Sequence, residues 1–423
     1  MGLRLAAPTM SARLAVIDIG SNTANCAVYA IARPGALDRL ADSSEPLKLM
    51  RRLGADGAFS AATLERTLGV LRAFRAFARE HRVDTLVAIA TSAVRDARNG
   101  DDLARAAARE LGVPLRIIDG EEEGRLAAWA SSRLLPVREG LMVDLGGGSA
   151  QLVEIVDGAP GRAASLPLGA LRLTDRFGTG EVVIADQVLA LRAHVDELLA
   201  SVPWLPEVRG RIVGVGGTIR ALGKVDRRQR GWTIGHGHGY WLGRDAVERQ
   251  WEWCSRVDAE RRKALPGLAA HRVETITAGV MVVARLLALR EARGLCVNSY
   301  GVREGAALQA SGGPALDASV DPLGLELAAR FTAEADALRD ALAPALSERS
   351  ELDASERAAV WIAACVLRAG EGAATLTARP VHGADHDTVR AAIDLVQDEP
   401  REGALSRATH RALRRVLRGV VEG

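Results

Sequence analysis

Short apolar runs that close on polar or glycine residues mark buried strands, and apolar positions three and four apart mark amphipathic helices. The first such run is Leu14-Ala-Val-Ile-Asp18-Ile-Gly20, and Cys26 to Ile31 repeats the pattern after a tight polar turn, which predicts a buried hairpin. From Ser60 to His81 the positions Leu64, Leu68, Leu71, Phe74 and Phe77 keep helical spacing, with Ser60 a candidate N-cap. Strand over 83–90, helix over 101–111, strand over 115–118, helix over 121–135 and strand over 141–144 continue the alternation. That order predicts an α/β architecture with helices covering a mostly parallel or mixed sheet.

The strand opening at Leu141-Met-Val-Asp144-Leu-Gly146-Gly-Gly-Ser149, followed by Leu152 to Val156, restates the first hairpin with its own Asp, Gly and hydroxyl turn. Asp18 and Asp144 lie 126 positions apart. A period that long is not a solenoid repeat, so it predicts two similar lobes facing a cleft. A third glycine turn, Gly214-Val-Gly216-Gly217-Thr218, ends a strand and opens a helix over 219–225, and a long amphipathic helix over 273–293 precedes a strand over 296–299. Ser311-Gly-Gly-Pro314 reads as a linker, and the helical patterns beyond it predict an all-helical appendix. The resulting division is an extension over 1–13, lobes over 14–135 and 136–311, and a helical domain over 312–423.

A chain of 423 residues fits two or three domains, and 48% hydrophobic with 26% charged residues is a globular composition. No stretch approaches the ~18 to 20 apolar residues that span a bilayer, so no membrane partner is expected. With 55 basic against 53 acidic residues the net charge is +2, which gives no reason to expect duplex nucleic acid. Cys26, Cys254, Cys296 and Cys365 are scattered without a C-x-x-C pair, which argues against a disulfide framework and suits the cytoplasm. The start lacks the apolar core of an export signal.

A glycine-and-hydroxyl turn after a buried strand lets backbone N–H groups approach a phosphate, and the hydroxyl adds a donor. Each such turn alone is also a plain tight turn; three in one α/β chain, two led by Asp, point to phosphate. Asp18 and Asp144 are suited to hold a divalent cation, although Asp18 alone also suits turn capping. Gly120-Glu121-Glu122-Glu123-Gly124-Arg125 opens a helix, where carboxylates serve the dipole unless one turns into the cleft as a general base. Arg95 follows another strand end and suits either bidentate phosphate contact or solvent.

In this order the chain resembles the exopolyphosphatase and guanosine pentaphosphate phosphohydrolase family (Ppx/GppA), of the actin-like, sugar-kinase-like phosphotransferase superfamily. The motifs are Asp18-Ile-Gly-Ser-Asn-Thr23, Thr91-Ser-Ala-Val-Arg-Asp96, Gly120-Glu-Glu-Glu-Gly-Arg-Leu126, Asp144-Leu-Gly-Gly-Gly-Ser149, Ser165-Leu-Pro-Leu-Gly-Ala-Leu-Arg172, Gly214-Val-Gly-Gly-Thr218, Leu265-Pro-Gly-Leu268 with Arg272, and Gly301-Val-Arg-Glu-Gly305. The resemblance implies two ribonuclease-H-like (actin-like ATPase) lobes, Mg2+, and removal of terminal phosphate from a phosphoanhydride chain by water. It also implies Glu123 as catalytic base, Asp144 as metal and water-positioning carboxylate, and Arg95 and Arg272 as phosphate ligands. Ser21, Asn22, Thr23, Gly146, Gly147, Gly148 and Ser149 match the two phosphate clamps, and Gly216, Gly217 and Thr218 match a third loop.

Gln151 departs from the pattern, since the family usually carries glutamate there; its amide oxygen is still able to ligate Mg2+ beside Asp18 and Asp144, without the charge. The C-terminal domain departs too: Val360-Trp-Ile-Ala-Ala-Cys-Val-Leu367 has no His-Asp pair where the family's long members carry one, so no second catalytic centre is expected. His382-Gly-Ala-Asp385-His386-Asp387 reads as a metal cluster or a polar helix start, and His236 with His238 as a metal pair or a loop. Trp232, Trp241, Trp251 and Trp253 suit either base stacking or packing, and the arginine face over 404–421 either solvent or a polyanion. The expected substrate is inorganic polyphosphate, with guanosine penta- or tetraphosphate the alternative, a non-hydrolytic sensor of either a third reading, and a homodimer left open.

Overall fold

The computed structural model describes residues 12–31, 37–135, 137–231, 237–311 and Val360. Apart from Val360, the region expected to be a helical domain, with the His382–Asp387 cluster and Cys365, lies outside the described residues, as do Trp232 and His236.

The first lobe is built from β1 (Ala12–Ile19), β2 (Thr23–Ile31), β3 (Leu37–Pro46), α1 (Ala61–Glu80), β4 (Thr85–Ala90), α2 (Ser92–Asp96), α3 (Gly100–Leu111) and β5 (Leu115–Ile117). Its sheet has the order β3-β2-β1-β4-β5, antiparallel across the first three strands and parallel from β1 to β5. Both faces of β1 are apolar, so both are covered. Ala15, Ile17 and Ile19 pack with Leu71 and Phe74 of α1 and Leu103 and Ala107 of α3. Ser60 caps α1, its side chain accepting from the Thr63 N–H at 3.2 Å.

The chain then passes through α4 (Gly120–Leu134) to the second lobe: β6 (Gly140–Leu145), β7 (Ala150–Val156), β8 (Ala159–Leu166), α5 (Ala170–Phe177), α6 (Ala185–Ala200), β9 (Arg211–Val215), α7 (Gly217–Gln229), β10 (Tyr240–Gly243), α8 (Arg244–Arg256), α9 (Ala259–Lys263), α10 (Ile276–Leu289), β11 (Gly294–Val297) and α11 (Val302–Ala310). This sheet runs β10-β11-β9-β6-β7-β8. Strands β6-β7-β8 are antiparallel and β6-β9-β11 parallel, so β8-β7-β6-β9-β11 repeats the first sheet strand for strand. The architecture is α/β, with two ribonuclease-H-like lobes.

Helix α4 lies between the lobes, packed on β7 and β8 of one and on α11. Leu126 of α4 and Ala306 and Ala307 of α11 cover the second face of β1 through Leu14 and Val16. Chain order put α11 with the second lobe; packing puts it on the first. The strand β3 carried no legible pattern because it is an edge strand, exposed along most of its length and polar in sequence. The helix expected over 273–293 begins at Ile276, preceded by a 3-10 turn at Ala270–Arg272.

Candidate active site

The parallel strands of the two lobes end at the same cleft, the position at which open α/β sheets bind ligands. Asp18 stands near the end of β1 and Asp144 near the end of β6. The hairpin loops that follow close in the same way: Gly20 N–H donates to Thr23 O at 3.1 Å, and Gly146 N–H donates to Ser149 O at 3.0 Å. The two loops face each other, and Gly147 lies against Ser21 and Asn22. The third loop enters through Gly216, whose φ of 93° lies in the region that favours glycine. A Cβ there would also sit 2.7 Å from Asp144 Oδ1.

Between them is a cavity of about 300 Å³. Its wall includes Asp18, Ser21, Asn22, Thr23, Glu123, Asp144, the loop from Gly146 to Ser149, Gly216, Gly217 and Arg272. Three of the expected site residues do not reach it. Thr218 is buried against Gly279 of α10. Arg95 donates from Nη1 to Ile118 O at 2.9 Å and reaches Glu123 Oε2 at 3.4 Å, so its guanidinium meets Glu123 instead of the cavity. Gln151 is 1% exposed and sits behind Glu123.

Of the three glutamates that open α4, Glu121 pairs with Arg125 and Glu122 with Arg116 at the surface, while Glu123 turns inward. Burial pushes the Glu123 carboxyl up to about 8, with Asp144 and Asp18 adding like charge and Arg95 opposing. Burial also raises Asp18 to about 6, against the pull of Arg303, and Asp144 to about 6, against that of Arg220.

Arg220, His271, Arg303 and Glu304 also line the cavity and were given no role from sequence. Arg220 stands two positions beyond the third loop, on α7, with no motif of its own; Arg303 and Glu304 lie inside Gly301-Val-Arg-Glu-Gly305, which was legible as a motif but not as a wall of the site. Burial lowers Arg220, and it pulls Arg272 down to about 10, so both cations are poorly solvated and suited to an anion. Glu304 anchors α11: its Oε1 accepts from Tyr29 Oη at 2.5 Å and from Arg39, and its Oε2 from Gly301 N–H at 2.8 Å. Burial would raise its pKa, but Arg303 and Arg39 hold it below the ordinary carboxylate value.

Among the described residues no Trp, Tyr or Phe lines the cavity. Trp251 and Trp253 pack on the second lobe's core, and Trp241 lies in β10. His238 reaches Leu134 O at 2.8 Å.

The residues fit a divalent cation by one observation: Asp18 Oδ1 is buried and, among the described residues, accepts no hydrogen bond, beside a second desolvated carboxylate at Asp144. Among the described residues no group of three or more His, Cys, Asp or Glu has the arrangement of a metal cage. Two carboxylates with water suffice for a hard cation such as magnesium.

The model of the Ppx/GppA phosphatase family matches residues 28–311. Exopolyphosphatase 1 of Mycobacterium tuberculosis is 30% identical over 311 residues, spanning 70% of this chain and 88% of that protein. Its Mycobacterium leprae counterpart is 28% identical, spanning 70% and 89%. Among solved structures, the Aquifex aeolicus Ppx/GppA enzyme superposes with a TM-score of 0.62 at 27% identity, over 70% of this chain and 99% of its own. An exopolyphosphatase from Cytophaga hutchinsonii, 23% identical over 71% and 99%, shares the fold with a TM-score of 0.66. No helix among the described residues is long and apolar enough to cross a membrane.

Proposed function

The chain belongs to the Ppx/GppA phosphatase family, and from that premise we propose that it is an exopolyphosphatase releasing terminal orthophosphate from inorganic polyphosphate. The observation that carries this reading is a cavity walled by three phosphate-type loops and desolvated arginines, with a buried glutamate at its edge and, among the described residues, no Trp, Tyr or Phe to stack a base. The exopolyphosphatase relatives add support.

In this reading the loops at Ser21–Thr23, Gly146–Ser149 and Gly216–Gly217 hold the terminal phosphates through backbone N–H groups and hydroxyls, and Arg220, Arg272 and Arg303 offset their charge. Glu123 orients a water and takes its proton. The water oxygen bonds to the terminal phosphorus, the bridging P–O bond breaks, and its electron pair stays on the shortened chain. Asp18 and Asp144 are the residues to hold Mg2+, which when bound shields phosphate charge. A base whose carboxyl lies at about 8 suits proton transfer near neutral pH. Buried Cys26 and Cys254 suit a reducing cytoplasm.

The test is phosphate release from long-chain polyphosphate, guanosine pentaphosphate and nucleoside triphosphates, with and without magnesium. Magnesium-dependent release with polyphosphate preferred is the expected outcome. Preference for guanosine pentaphosphate would reassign the substrate, and tight binding without release from any of them would make the protein a sensor.

A further inference from the structure

Gln151 sits on β7 directly across from Asp144 of β6, and from there it was expected to face a cation. The side chain goes elsewhere. Its Nε2 lies 2.7 Å from Ser149 Oγ, 3.2 Å from Ser165 Oγ and 3.4 Å from Glu123 Oε2, and it does not line the cavity. Close packing seats it there: a Cβ on Gly124 would stand 2.8 Å from Val153 Cγ2 and 3.0 Å from Gln151 Cβ, so the first turn of α4 rests directly on β7 at Gln151.

The direction of the amide follows from its neighbours. Three oxygens surround Nε2, one of them a carboxylate, and turning the amide over would set its carbonyl against that carboxylate. Arg95 approaches the same atom, Oε2, from its anchor on Ile118 O. Among the described residues, the hydrogen bonds of the Glu123 carboxylate are made by Oε2 and none by Oε1. Contacts of 3.4 Å are long, as hydrogen bonds to catalytic groups often are before substrate binds.

We propose that Gln151 and Arg95 are positioning residues that hold Oε2 of Glu123 from two sides, leaving Oε1 as the atom that takes the proton from the attacking water. The inference rests on the proposed role of Glu123 as base. It replaces the cation-ligand role expected for Gln151 with that of a neutral donor, one that supports the charged base without adding a further carboxylate beside it.

The experiment compares the full chain with Gln151→Leu and Gln151→Glu in magnesium and polyphosphate titrations, together with crystal structures of all three. Leu removes the donor, and Glu keeps the shape but cannot donate when ionised. Each variant is expected to lose about tenfold or more in kcat, with KM within about twofold, since a misdirected base is lost only in the transition state. The base limb of the Gln151→Glu pH profile is expected to move to higher pH. In the crystal of Gln151→Leu, the Glu123 carboxylate is expected in more than one orientation. A Gln151→Glu protein with full or raised kcat and a lower magnesium requirement would overturn the proposal in favour of a ligand role. So would a single unchanged Glu123 orientation in Gln151→Leu, or in Gln151→Glu should the Leu variant fail to fold. If the wild-type protein releases no phosphate from any substrate, the exopolyphosphatase reading falls, while the crystal structures still decide the contact.

Discussion

The two lobes repeat one sheet, yet their equivalent positions do different work. Each has an aspartate near the end of its central strand and an amide seven residues on, paired across the hairpin: Asp18 with Asn25, and Asp144 with Gln151. Asn25 lines the cavity and supports the ionised form of Asp18. Gln151 turns behind the wall to Glu123. The clamps diverge as well, since the first offers side chains at Ser21, Asn22 and Thr23 and the second offers mostly backbone at Gly146, Gly147 and Gly148. Duplication of a fold therefore supplies two similar cradles, while asymmetry between them supplies the chemistry. Glu123, the residue proposed as base, comes from α4, the helix wedged between the lobes, and has no counterpart in the repeat.

That uniqueness gives the largest expected effect. Glu123→Gln keeps size and hydrogen bonding but cannot accept a proton, so turnover should fall about 10²-fold or more with KM nearly unchanged, measured by steady-state phosphate release. Retained turnover would move the base to another residue and leave the lobes chemically equivalent.

A smaller effect compares the two aspartates directly. Their folded carboxyls are raised to about 6 and that of Glu123 to about 8, from ordinary values of 3.8 and 4.5, so the folded protein keeps protons that the unfolded chain releases first. Without divalent cation, stability should be greatest below this window and fall as pH rises from about 4 through about 8, read as the thermal midpoint across pH. Asp18→Asn and Asp144→Asn should each flatten the lower part of that fall. If only one does, the two strand ends differ electrostatically more than their similar values indicate.

The smallest effect concerns the rim, where Arg51 of the first lobe meets Asp175 at 2.8 Å and Glu274 at 2.8 Å on the second, and Arg172 meets Asp96 in the reverse sense. These side chains are about a third to a half exposed, so Arg51→Ala should cost no more than about 1 kcal/mol in denaturant unfolding. A much larger loss would make this contact a main determinant of how the lobes are held together.

Much of the fold was legible because burial has a period. The apolar runs at Leu14–Ile19 and Leu141–Leu145, and the helical spacing from Leu64 to Phe77, each report their own surroundings through neighbours in sequence. β3 was not legible, being exposed and polar, and α11 was placed with the wrong partner because its apolar positions do not say which sheet they cover. In the site, the Asp and Gly positions announced themselves by following buried strands, and the resemblance singled out Glu123 from Glu121 and Glu122. Arg220 carried no such signal, and neither did the diversion of Arg95 from the cavity to Glu123.

The sequence by itself determined the alternation of strands and helices, the duplicated Asp-led turns and the class of anion they suit, because backbone geometry and hydrophobic period act over a few residues. Tertiary structure alone decided which charged groups meet: Arg95 with Glu123 across 28 positions, Gln151 with the same oxygen from the other lobe, and Arg303 with Asp18 from the far end of the described chain. The reason is physical. Side-chain electrostatics depend on distances of a few ångströms between residues far apart in sequence, and those distances exist only once α4 is seated between the two sheets.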